Sequence, residues 1–123
     1  MSLRAALIRL TRGVAGGRVH WLRVPQGLPT PYVVLNEISG VGHYHTQGRT
    51  RHRQTRVQCD IYAATLAEAE HEMAHLTAAL SGARDGEILA VFVGEPADAT
   101  TWDGGQVDPV VRLTVDLTIH SNR

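Results

Sequence analysis

Apolar and polar residues alternate most regularly near the end of the chain, where Val111, Leu113, Val115, Leu117 and Ile119 interleave with Arg112, Thr114, Asp116, Thr118 and His120. A period of two sends one set to a core and the other to water, which predicts a half-buried strand. Val57, Cys59, Ile61 and Ala63 repeat the pattern against Arg56, Gln58, Asp60 and Tyr62. "YVVLNEIS" and "EILAVFV" are rich in β-branched and aromatic residues and add two strands, and "RVHWLRV" adds a short one.

Two segments follow the helical period instead. Leu3, Leu7, Leu10 and Val14 recur behind Ser2 as a cap, and Gly16-Gly17 stops that helix. Leu66, Ala69, Met73, Leu76 and Leu80 form the apolar stripe of a second helix. Thr65 and Glu68 open it as a capping box, and Ser81-Gly82 ends it.

The predicted order is helix, three strands, helix, then two or three strands. A sheet with one apolar face wants helices on that face. The pattern therefore predicts an α+β domain over residues 1–123: a mainly antiparallel sheet of about five strands with two helices packed on one face. The stretch "GHYHTQGRTRHRQTR" has no sustained period and is expected as a long basic hairpin loop. "GEPADATTWDGGQVDP" is expected as an acidic loop or loose hairpin.

Composition bounds the class. At 123 residues, 43% hydrophobic and 20% charged, the chain has enough apolar material for one core without staples. The single Cys59 falls on the apolar side of its strand and is expected as a packed core residue. No apolar run reaches membrane-spanning length, and the arginines spread through "MSLRAALIRLTRGVAGG" predict a cytosolic product without a signal peptide.

Net charge is zero, which argues against general nucleic-acid binding. The charges are segregated, however. Ile38 to Cys59 carries Arg49, Arg51, Arg53 and Arg56 with no acid, whereas Glu95 to Asp116 carries Glu95, Asp98, Asp103, Asp108 and Asp116 against Arg112 alone. One region is plus four and the other minus four. All twelve basic residues are arginine, a side chain suited to carboxylates and phosphates.

"HEMAH" at His71 to His75 matches the zinc-peptidase pattern H-E-x-x-H. Residues four apart on a helix put both imidazoles on one face, with the glutamate beside them to take a proton from metal-bound water. The apolar stripe decides against it: at about 100 degrees per residue, His71 and His75 project away from the core with Glu68, onto a solvated helix surface. No third ligand is marked downstream. His43, His45 and His52 sit in the expected loop without fixed geometry, so no metal, cofactor or catalytic residue is expected.

Several short pieces together resemble one family. Gly17-Arg18-Val19, Pro25-Gln26-Gly27, Pro31 to Val34, Ile38 to Gly40, Arg56 to Gln58, Tyr62 to Thr65 and the closing "VVRLTVDLTIHS" look like the tail-completion or tail-terminator proteins of long-tailed phages and phage-derived gene transfer agents. The resemblance covers nearly the whole chain. It implies a structural virion protein without enzymatic activity, assembled in the host bacterial cytoplasm and located at the head-proximal end of the tail. Six copies are expected to form a ring that stops the tail tube's polymerisation and joins it to head-side neck proteins, with DNA at most passing through the channel.

The His71-Glu72 pair is not part of that likeness. Nor does the likeness assign the basic stretch, for which charge suggests that Arg49, Arg51, Arg53 and Arg56 meet the acids Glu95, Asp98, Asp103 and Asp108 of a neighbouring subunit or tail partner, since rings are built from unlike patches. Another small head-tail neck protein and a minimal zinc peptidase using His71, Glu72 and His75 are the alternatives.

Overall fold

The computed structural model describes residues 3–45, 48–86, 88–100 and 110–122, with residues 39–45, 48–52 and 122 described by their backbone. Helix α1 (Leu3–Leu10) is followed by a 3-10 helix at Val14–Gly17 and by strands β1 (Val19–Trp21), β2 (Tyr32–His45) and β3 (Gly48–Ala63). Helix α2 (Leu66–Leu80) then leads to β4 (Ile88–Val93), β5 (Ala97–Asp98) and β6 (Val111–Asn122). The sheet runs β1-β2-β3-β6-β4, and β5 also pairs with β6. Strands β1 and β2 are parallel; the other strand pairings among the described residues are antiparallel. The α+β architecture read from periodicity is the one observed, with six strands among the described residues.

The two alternating strands predicted most clearly lie side by side at the centre. Val57 faces Leu117, Cys59 faces Val115 and Ile61 faces Leu113 across β3 and β6. Leu35 and Val33 extend two of these rows onto β2, opposite Cys59 and Ile61. Ala69, Met73, Leu76 and Leu80 of α2 and Ala6 and Leu7 of α1 belong to the same buried cluster. Burying each large aliphatic side chain is worth roughly 1.5–3 kcal/mol, so this layer supplies most of the driving force for folding.

Three expectations need correction. The first helix does not run to Gly16-Gly17. The Thr11 hydroxyl donates to the Leu7 carbonyl at 2.7 Å, and the chain tightens into the 3-10 turn, where Ala15 and Gly16 have φ of 51° and 62°. A threonine bonding back to the preceding turn competes with helix continuation.

The basic stretch is not a loop. Strands β2 and β3 stay paired to His45 and Gly48, whereas pairing of β3 with β6 stops at His52 and Asn122, leaving a two-stranded ribbon beyond the sheet. Polar residues on both faces erase the period that marks a strand, while the backbone ladder does not need it. Register shifts between Glu37 and Ser39 and between Gly42 and Tyr44 break the pattern further.

Finally, Leu66 is 50% exposed, not part of the core stripe, and Glu72 is buried on the face that Leu66 was expected to share. At about 100 degrees per residue Leu66 lies about 50 degrees and Glu72 about 70 degrees from the centre of the stripe, on opposite flanks. The periodicity therefore separates them little, and the neighbouring chain decides. The Thr65 cap does form, as the Glu68 amide donates to Thr65 Oγ1 at 3.1 Å, but Glu68 Oε1 reaches past the cap residue and accepts from the Ala64 amide at 3.2 Å. Among the described residues no helix is long and apolar enough to cross a membrane.

Candidate functional site

Helix α2 brings His71 and His75 to its water-facing side, as expected, with ring centroids 4.9 Å apart and planes tilted by 45°. Glu72 departs from them. It is 9% exposed, and its Oε1 accepts a 2.7 Å hydrogen bond from the Ala15 amide of the 3-10 turn. His75 Nδ1 lies 3.7 Å from the same oxygen. The three side chains offer donor atoms that all lie within 4.8 Å of one another. A peptidase glutamate must turn towards metal-bound water, whereas this one is anchored to backbone on the core side of its helix.

The opposite face of the sheet holds a cluster that the sequence did not mark. Asp60 belongs to the polar set of β3, yet only 6% of it is exposed. Gln58 Nε2 donates to both of its carboxylate oxygens at 3.1 and 3.2 Å, and Arg112 Nη2 donates at 3.1 Å. The Arg112 guanidinium sits 5.7 Å from the centre of the Tyr62 ring, which stacks on Tyr32 at 5.0 Å. The bond to Asp60 holds the Arg112 pKa above its usual value. Burial pushes the Tyr62 phenol up. The available signal was the pairing of Asp60 with Thr114 and Tyr62 with Arg112, which follows once β3 and β6 are set antiparallel.

The charged residues expected at an interface are distributed as follows. Arg49 and Arg51 lie on the paired ribbon of β3. Arg53, opposite Ser121, alternates onto the helix-covered face shared by Thr55 and Val57, whereas Arg56 alternates onto the other face. There Arg56 Nη2 pairs with Asp116 of its own chain at 3.0 Å. Glu95 and Asp98 are exposed. Asp98 Oδ1 accepts from the Thr100 amide at 2.8 Å, and hydrogen bonding by the Thr100 side chain and backbone holds its carboxyl below the usual range. Asp103 and Asp108 lie outside the described residues, as do the side chains of His43, His45 and His52.

Cys59 is fully buried. Burial, helped by the Asp60 and Asp116 carboxylates, pushes its thiol far above the ordinary range, so it is a packing residue and not a nucleophile.

The sheet is covered by helices on one face and carries ion pairs on the other, and the two histidines of the donor cluster lie on open helix surface. Residues 1–118 match the family model described as tail completion protein gp17. The chain belongs to that family, and it is a structural component of a phage-type tail. Its fold is shared with a chain of the virion of a native gene transfer agent particle, at a TM-score of 0.76 and 18% identity, covering 99% of this chain and 96% of that one. No curated protein sequence matches it.

Proposed function

We propose that the chain is a ring-forming tail terminator that caps the head-proximal end of the tail tube, stops its polymerisation and presents a surface to the head-side neck proteins. The match to a tail-completion family along residues 1–118 carries this reading. The ring has six copies, and the subunit works by contact alone, without a catalytic step.

Charge supports assembly through unlike patches. A closed ring needs one surface to meet a different surface on the next copy, and a neutral subunit with a plus-four and a minus-four segment offers both. Arg56 and Asp116 satisfy each other within the chain. The proposed contact therefore joins Arg49 and Arg51 on the ribbon, with Arg53 at its base, to Glu95, Asp98, Asp103 and Asp108 of an adjacent subunit, or of a tube or neck protein. An isolated two-stranded ribbon is marginal in water, so docking against a neighbour would also stabilise it. DNA passing through the ring meets at most loose contacts, since tight phosphate binding would hinder transit.

Native mass spectrometry of the purified chain mixed with tail tubes tests the reading. It predicts a closed oligomer bound to tube ends; a chain that stays monomeric and leaves the tubes uncapped contradicts it.

A further inference from the structure

The geometry of α2 points to a metal site: we propose that His71, Glu72 and His75 bind a borderline divalent transition-metal ion such as zinc, nickel or copper. The proposal does not rest on the tail role.

Three observations carry the inference. First, the two imidazoles stand one turn apart on a regular helix, with centroids 4.9 Å apart. An ion with bonds of about 2.0–2.1 Å to imidazole nitrogen needs tetrahedral donors roughly 3.4 Å from one another. The donor atoms of His71, Glu72 and His75 already lie within 4.8 Å, a gap that small side-chain torsions close.

Second, the carboxylate is fixed before any ion arrives. Glu72 is held at 2.7 Å by the Ala15 amide, and Oε1 lies 3.7 Å from His75 Nδ1. Outer contacts of this kind orient a ligand and raise affinity. Third, both histidines are exposed, so an ion can enter and water, or a donor from an adjacent subunit, can complete its coordination.

Two nitrogens and one oxygen select for zinc, nickel or copper over magnesium and calcium, which prefer oxygen ligands throughout. The site differs from a peptidase centre because its glutamate is tied to backbone and serves as a ligand, not as a proton acceptor.

The test is calorimetric titration of zinc into the full chain after chelator treatment and dialysis. One saturable ion per chain is expected, with magnesium giving no heat. Each of His71→Ala and His75→Ala should weaken binding at least about tenfold, and the double variant should abolish it. Glu72→Gln keeps an acceptor for Ala15 and should weaken binding less than either histidine change. Absence of saturable zinc binding overturns the proposal, as does undiminished binding in the double variant, which would put the ion on other histidines. Ethoxycarbonylation of imidazole nitrogens by diethylpyrocarbonate gives a readout on the unaltered protein. Zinc should protect His71 and His75 from modification, and equal labelling with and without zinc overturns the site whether or not the variants fold.

Discussion

The Glu72 carboxylate accepts the amide proton of Ala15 at 2.7 Å across 57 positions of sequence. The bond ties the middle of α2 to a turn whose backbone is unusual: Ala15 is fully buried and has a φ of 51°. A non-glycine residue in that region costs roughly 1–2 kcal/mol, and its amide has no helical partner to accept it. The glutamate in the middle of the H-E-x-x-H pattern thus has a structural task that holds whether or not a metal binds.

Glu72→Ala should therefore destabilise the chain by about 1–3 kcal/mol, the cost of leaving a buried donor unpaired. Glu72→Gln retains a carbonyl oxygen for Ala15 and should lose less than about half of that. Urea unfolding followed by circular dichroism measures both. Equal losses for the two variants would show that the charge, not the acceptor, matters.

The Asp60 and Arg112 pair makes a second prediction. Asp60 is nearly buried, and about a third of the Arg112 side chain remains in contact with water. Removing the carboxylate in Asp60→Ala strands both Arg112 and Gln58 and should cost about 1–3 kcal/mol, discounted for that solvent contact. Combining it with Arg112→Met should cost clearly less than the sum of the single changes. A double-mutant cycle reads this coupling, and strict additivity would show that the pair contributes nothing.

Cys59 should resist thiol reagents in the native chain and react fully in denaturant. Its raised pKa also fixes a sign: above the ordinary thiol range only the unfolded chain ionises, so native stability falls as the pH rises there. Cys59→Ala should remove that alkaline slope while costing a small amount at neutral pH. Rapid labelling of native protein would contradict the burial.

Charge reversal separates fold from assembly. Arg49→Glu, Arg51→Glu and Arg53→Glu together should leave the circular dichroism spectrum in place and abolish incorporation into tails. Arg56→Glu disrupts only an exposed ion pair within the chain, worth roughly 0–1 kcal/mol. It should leave incorporation closer to normal than the triple change does. Unchanged particle yield from the triple variant rejects the proposed contact.

The sheet was legible because β3 and β6 bury one face only, so alternation survives in their residues; the core rows from Val57 to Ala63 and from Val111 to Ile119 follow directly. The ribbon that β2 and β3 form beyond the pairing with β6 was not, since a stretch with polar residues at successive positions leaves no periodic trace. Helix α2 was legible as a helix from its cap and stripe. The exchange of Leu66 for Glu72 on its buried side was not, because the Ala15 amide that decides it comes from a turn more than fifty residues earlier. Asp60 was hidden for a related reason: a polar residue on a polar face signals nothing until Gln58 and Arg112 close over it. The segregated charge was readable, but its division between an internal pair at Arg56 and Asp116 and the remaining arginines needed the cross-strand register.

Electron microscopy of particles assembled with and without this chain tests the central claim most directly. If the chain terminates the tail, its removal should yield tubes of uncontrolled length with no heads attached, and adding back purified protein should restore uniform length. Tails of normal length joined to heads in its absence would contradict the account.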